Sequence, residues 1–170
     1  VSTSILVPKP FTPFQWAPMA RPEIVDERIK AVRGAIKSRS IVYNYHEQET
    51  SFMEAVFARG DRRTCDVLIK AFEKGAKFDG WSEYFNMEIW NEAMEECNLD
   101  SEFYVYRERE YDEILPWDFI DIGVNRKYME RENEKAKKAE LTKNCLEGCT
   151  GCGINVNFKE GKCFEGAIRN

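Results

Sequence analysis

Histidine is almost missing from this chain: His46 is the only one. Base catalysis by imidazole therefore has one candidate with no partner visible in sequence, and a hydrogen-bonded structural role is the better reading for it. There is no HExxH-type metal helix, no glycine-rich phosphate loop and no internal repeat, which removes the common metalloprotease, nucleotide-binding and solenoid classes. No run of about 18 apolar residues is present, so no membrane partner is expected, and no charged-then-apolar leader opens the sequence. Regularly spaced cysteines are also lacking. The six thiols therefore imply a reducing, cytoplasmic setting rather than a disulfide framework. A net charge of −5 argues against a protein that coats nucleic acid.

What the chain does have is enough apolar matter for one core: 170 residues, 43% hydrophobic and 13% aromatic. Its densest chemistry is Cys145-Leu-Glu-Gly-Cys149-Thr-Gly-Cys152-Gly, with Cys163 further on. Soft metals and iron–sulfur clusters take thiolate ligands, and the glycines at 148, 151 and 153 allow the backbone to wrap closely and aim N–H groups at sulfur. The C-x3-C-x2-C spacing is that of the cluster motif that cleaves S-adenosylmethionine (SAM). That motif, however, carries an aromatic residue before its last Cys, where this chain has Gly151. The four cysteines 145, 149, 152 and 163 are thus read as ligands of a separate iron–sulfur cluster or of zinc, against the alternative of an inert glycine-rich tail.

Upstream, Val1–Val7 is β-rich and runs into Pro8-Lys9-Pro10-Phe11-Thr12-Pro13-Phe14-Gln15-Trp16, where three prolines stop any ladder or helix. Pro22 suits a helix's first turn, and Ile24, Val25, Ile29, Val32 and Ile36 make an apolar stripe at helical spacing. Residues 40–46 alternate as a short strand that joins the sheet edge. Ser51-x-x-Glu54 has the form of a capping box opening a helix that stops at Gly60. Asp61 then caps a helix with Cys65, Leu68 and Phe72 on one face. This elbow gathers Arg59, Arg62 and Arg63, a candidate site for a phosphate or carboxylate; an internal salt-bridge network is the equal alternative.

Asp79-Gly80 is a turn, and Trp81, Tyr84 and Phe85 give the loop after it something to bury. Asn86 caps a helix carrying Ile89, Trp90, Ala93, Met94 and Cys97 on its apolar side. Cys65 and Cys97 read as small buried hydrophobes. Phe103–Tyr106 predicts a short strand, and Leu115-Pro116-Trp117 an irregular docking segment. Between Glu88 and Asp121 twelve acidic residues face two arginines, a local net of −10. From Asn125 to Lys143 the balance reverses, with seven basic residues against four acidic. That stretch reads as a solvated helix, with an RNA-contacting surface as a second reading.

Several of these segments occur together in one family. Ile5–Trp16, Ser51–Arg63, Phe78–Phe85, Leu115–Val124 and the Cys-rich tail resemble, in this order, the C-terminal portion of radical SAM proteins that carry an N-terminal cobalamin-binding-like domain. The chain departs from that group at Asn155, where a further Cys is expected; Cys163 stands as the substitute. The resemblance implies an α+β, mainly helical segment: residues 1–48, the last strand or strands and helix of a radical SAM α/β barrel; 49–124, a helical extension packed on it; 125–170, a charged helix and Cys-rich metal- or cluster-binding tail. It implies a radical SAM enzyme whose principal [4Fe–4S] cluster and SAM are bound upstream, with cobalamin as a further cofactor and the upstream barrel and cobalamin-binding-like domains as partners. Lys9, Thr12 and Gln15 would line the SAM or substrate side of the barrel. The reading from a different class is a non-enzymatic thiolate-metal module that binds RNA or a partner protein.

Overall fold

The computed structural model describes residues 1–158, and they form a mainly helical α+β fold. In chain order the elements are strand β1 (Ser2–Thr3), helix α1 (Pro22–Ala35), strand β2 (Asn44–Tyr45), and helices α2 (Gln48–Arg59), α3 (Thr64–Glu73), α4 (Met87–Glu96), α5 (Ser101–Val105), α6 (Arg126–Lys137) and α7 (Ile154–Asn157). The strands pair in parallel, Ser2 with Asn44 and Thr3 with Tyr45. The strand signals in the first seven residues and in 40–46 thus yield two residues of ladder each. A parallel pair this short contributes little by itself.

The chain divides into two compact units, Val1–Lys9 with Ala17–Arg109, and Pro10–Trp16 with Glu110–Asn170. These boundaries differ from the divisions after residues 48 and 124 that the sequence suggests. The reason is packing: the proline-rich loop finds its apolar partners beyond residue 110, not in the segments that flank it.

In the first unit the core is Val7, Met19, Met53, Ala55, Val56, Val67, Ala71, Trp90, Ala93, Met94, Tyr104 and Val105. Helix α4 begins as the sequence predicts, with Asn86 Oδ1 accepting from Glu88 N–H at 2.9 Å. Helix α2 does not. It starts three residues before Ser51, which is buried and bonds back from Oγ to the Glu47 carbonyl at 2.9 Å; the capping-box reading fails because Ser51 sits one turn inside the helix. Helix α3 turns Val67 and Ala71 inward, and Cys65, Leu68 and Phe72 therefore face solvent. Cys65 is not the buried hydrophobe its neighbours suggested; Cys97, half-buried against the core, is. Residues 103–106, predicted as strand, lie mostly in α5, because Asp100 Oδ1 caps the turn by accepting from Phe103 N–H at 3.1 Å. On α1 only Val25 is buried, and much of the stripe lines an open groove instead.

The second unit is built around Trp16, Leu115, Trp117 and Met129. Trp16 meets Tyr111 edge-on at 5.0 Å between ring centroids. Each large side chain buried in this way stabilises its unit by about 1.5–3 kcal/mol. Helix α6 contributes Met129 and, unexpectedly for a polar helix, Asn133. The Asn133 amide nitrogen donates to the Pro13 carbonyl at 2.6 Å, and Tyr111 Oη donates to Asn133 Oδ1. A solvated connecting helix is thereby pinned by one polar side chain. Among the described residues no helix is long and apolar enough to cross a membrane.

Candidate thiol turn and the other expected sites

The cysteine segment begins its final approach at Gly148, Gly151 and Gly153, whose φ angles are +140°, +74° and +101°. At Gly153 the constraint is double. The backbone is left-handed, and a Cβ there would stand 2.7 Å from the side chain of Asn125. The turn is fastened to α6 by two donors, one at the N-cap and one within the helix. Asn125 N–H donates to the Cys152 carbonyl at 2.8 Å, and Arg131 donates to the Thr150 carbonyl at 2.6 Å. Just beyond, Asn157 reaches back to the Gly123 carbonyl at 2.8 Å, and a Cβ on Gly123 would collide with the Phe158 ring.

Within this frame the Gly151 N–H points at Cys149 Sγ, 3.4 Å away. A backbone donor two residues after a thiol stabilises negative charge on sulfur, which is what a thiolate ligand needs. Cys145 and Cys149 are exposed and Cys152 is half-buried. The donor chemistry therefore suits a soft metal or cluster. Among the described residues, however, no three His, Cys, Asp or Glu side chains are gathered closely enough to hold a metal ion. The remaining expected ligand, Cys163, lies outside the described residues.

The arginine elbow directs its charges differently from the anion cradle expected of it. Arg59 is fully buried. Its Nε donates to the Tyr104 carbonyl at 2.7 Å and its NH2 to the Arg107 carbonyl at 3.3 Å, so it caps the end of α5. Arg109 donates in turn to the Arg59 carbonyl at 2.7 Å. Arg63 forks onto Asp61, which also accepts from the Tyr104 hydroxyl at 2.9 Å. The Arg63 hydrogen bonds outweigh partial burial and hold the Asp61 carboxyl well below the usual carboxylate range. Burial, followed by the hydrogen bond to Asp61, pushes the Tyr104 hydroxyl up. Of the three, Arg62 is exposed and has no ion pair among those found in the described residues. The three arginines do not converge on one ligand; the internal network is what forms.

Lys9, Thr12 and Gln15 fall in different units. Lys9 belongs to the first unit and pairs with Glu54. Thr12 and Gln15 belong to the second, where the Thr12 carbonyl closes a turn by accepting from Gln15 N–H at 3.0 Å. Gln15 is buried, its Oε1 accepting from Trp117 Nε1 at 2.7 Å and from Phe11 N–H at 3.1 Å. It also lines a cavity of about 250 Å3 with Asp118, Asp121 and Arg126. His46 is exposed, and its backbone N–H donates to the Thr3 carbonyl at 3.4 Å. Sequence reasoning passed over Asn133 and Arg109, which are buried polar groups on otherwise polar stretches; no periodic signal marks them.

Comparison with protein-family models, with curated proteins and with solved structures finds no match to this chain.

Proposed function

We propose that this chain is the C-terminal segment of a radical SAM iron–sulfur enzyme acting on an unidentified substrate, and that its tail holds a thiolate-bound centre through Cys145, Cys149, Cys152 and Cys163. The observation that carries the tail's role is the donation from Gly151 N–H to Cys149 Sγ inside a glycine turn docked on α6. The ordered motifs from Ile5 to the tail support the family, since their succession is more specific than any one of them. An iron–sulfur centre is preferred to zinc because the resemblance is to a cluster-dependent family. Either centre would cross-link a tail that buries few side chains among its described residues. In this reading the principal cluster, SAM and any cobalamin belong to upstream domains of the same protein. The segment's own residues shape and dry the substrate side.

The reading from the other class is a non-enzymatic thiolate-metal module that binds RNA or a partner protein; its RNA half has less support, since Arg131, Lys135 and Lys137 on α6 are engaged by Glu132 and Glu134.

Anaerobic purification with iron, sulfide and zinc analysis and a visible spectrum tests the tail. Iron with sulfide and a broad visible absorbance, both lost in Cys149→Ser, is the expected result. Stoichiometric zinc without colour moves the assignment to a structural site, and neither metal removes it. Given SAM and reductant, this chain alone should release no 5′-deoxyadenosine; release that depends on Cys149 would make the tail itself the SAM site.

A further inference from the structure

The loop between α3 and α4 was expected to bury its aromatic residues, yet it displays Trp81 and Tyr84 together with Phe78. Phe78, Trp81 and Tyr84 are 67%, 58% and 58% exposed. They form one group, since Phe78 meets Trp81 at 6.2 Å and Tyr84 at 5.9 Å between ring centroids. Phe78 also has φ +62°, a left-handed conformation costly for an aromatic residue. Strain of this kind, at the centre of a displayed group, points to a use beyond packing within the chain.

On the adjoining face of α3, Leu68, Ile69 and Phe72 are 51%, 53% and 61% exposed. With Ala76 they line an open groove of about 400 Å3. Phe78 stands at its rim: Ala76 and Asp79, close to it in the chain on either side, both line the groove, and Lys77 Nζ lies 5.5 Å from the Phe72 ring centroid. A projecting ring and a recess thus share one face. Four aromatic side chains of about 150–250 Å2 each, near 60% exposed, with Leu68 and Ile69 half exposed, leave on the order of 600 Å2 of this face uncovered. That is the upper end of what a monomer shows, about 300–600 Å2. The face is also close to neutral. From Asp66 to Glu83 four acidic residues stand against three lysines, and Lys70 and Lys74 are paired with glutamates of α4.

We propose that this face is the interface of a two-fold dimer of this chain, in which Phe78 of each copy enters the α3 groove of the other. A two-fold contact is made by the same surface on both copies, so it needs a projection and its recess side by side on one face, which is the arrangement found here. Covering about 600 Å2 on each copy gives roughly 1,200 Å2 in total, above the 1,000 Å2 or so that a specific interface needs. Near neutrality lets two like faces approach without repulsion, whereas a strongly charged partner would find no complement. The dimer is independent of any centre held by the tail.

Sedimentation equilibrium of the full chain in reductant, from about 1 μM to 1 mM, should show a reversible monomer–dimer equilibrium and no larger species. The Trp81 indole N–H resonance should move with the dimer fraction. Phe78→Gly removes the ring and suits the positive φ, so it does not endanger the fold. Leu68→Glu puts a charge into the groove at an exposed position. Each should weaken dimerisation at least about tenfold, with amide resonances away from this face unchanged. A mixture of the two variants should pair more tightly than either does with itself, because it keeps one intact ring opposite one intact groove. A chain that stays monomeric throughout would leave the face to a different occupant and overturn the proposal. So would open-ended association, dimers indifferent to both substitutions, or a mixture no tighter than its components.

Discussion

The Nε of Arg59 lies 2.7 Å from the carbonyl oxygen of Tyr104, with no part of the arginine exposed to solvent. A guanidinium buried this way is an architectural part, because the carbonyls at the end of α5 have no other donor in the helix to satisfy them. Arg59→Met should therefore destabilise the chain by about 3 kcal/mol in urea unfolding, the cost of stranded carbonyls outweighing the gain of an apolar side chain. Arg62→Met, three residues on and exposed, should stay within about 0.5 kcal/mol. A large effect of Arg62 and a small one of Arg59 would restore the anion-site reading.

Acid should loosen the same elbow. The Asp61 carboxyl is held below its ordinary value in the folded state, chiefly by Arg63. A group with a depressed folded pKa contributes stability that is complete above its unfolded value, near 3.9, and is lost as pH falls through the folded one. Stability should thus be flat in this respect at neutral pH and decline below about pH 4. Asp61→Asn should lower stability at pH 7 and flatten that acid decline, as measured by chemical denaturation across the pH series.

Gln15 makes the matching prediction in the second unit. Its Oε1 serves both Trp117 Nε1 and the N–H of Phe11, whose φ of +57° is left-handed. Gln15→Leu conserves bulk but takes the acceptor from one buried and one partly buried donor, and should cost about 2–3 kcal/mol. Faster hydrogen exchange at the Trp117 indole would report the loss directly.

The tail glycines separate conformational strain from crowding. A Cβ at Gly148 meets nothing within 4 Å, whereas at Gly153 it meets Asn125. Gly148→Ala should cost about 1 kcal/mol from its positive φ alone. Gly153→Ala should in addition detach the turn from α6, seen as accelerated alkylation of Cys152 with that of exposed Cys145 unchanged.

Much of this arrangement is legible in sequence where a local group enforces it. The Asn86 cap, the stop at Gly60 and the glycine turn around Cys149 all follow from short-range chemistry. The failures arise where tertiary partners decide. Phe103–Tyr106 has strand propensity, but Asp100 caps a helical turn there first. Cys65, Leu68 and Phe72 share a face, yet periodicity does not say which face a helix turns inward, and Val67 with Ala71 wins on α3. Arginines counted as a charge cluster gave no hint that one of them is fully enclosed. Cys65→Ser should accordingly be nearly neutral, within about 0.5 kcal/mol, and Cys65 should react early with a thiol reagent.

The bond between Gln15 and Trp117 spans 102 residues of chain, and this sets an order of events during synthesis. At roughly 5–20 residues per second, the Pro10–Trp16 loop waits about 5–20 s for the ring that will anchor it. Through that interval Trp16 has its chain neighbours but not Leu115, Trp117 or Met129, its companions in the finished core. A ribosome-stalled chain ending at Arg109 would carry nearly all of one unit and only the opening loop of the other. That loop would be its most adhesive surface, and the place where a nascent-chain chaperone would be found.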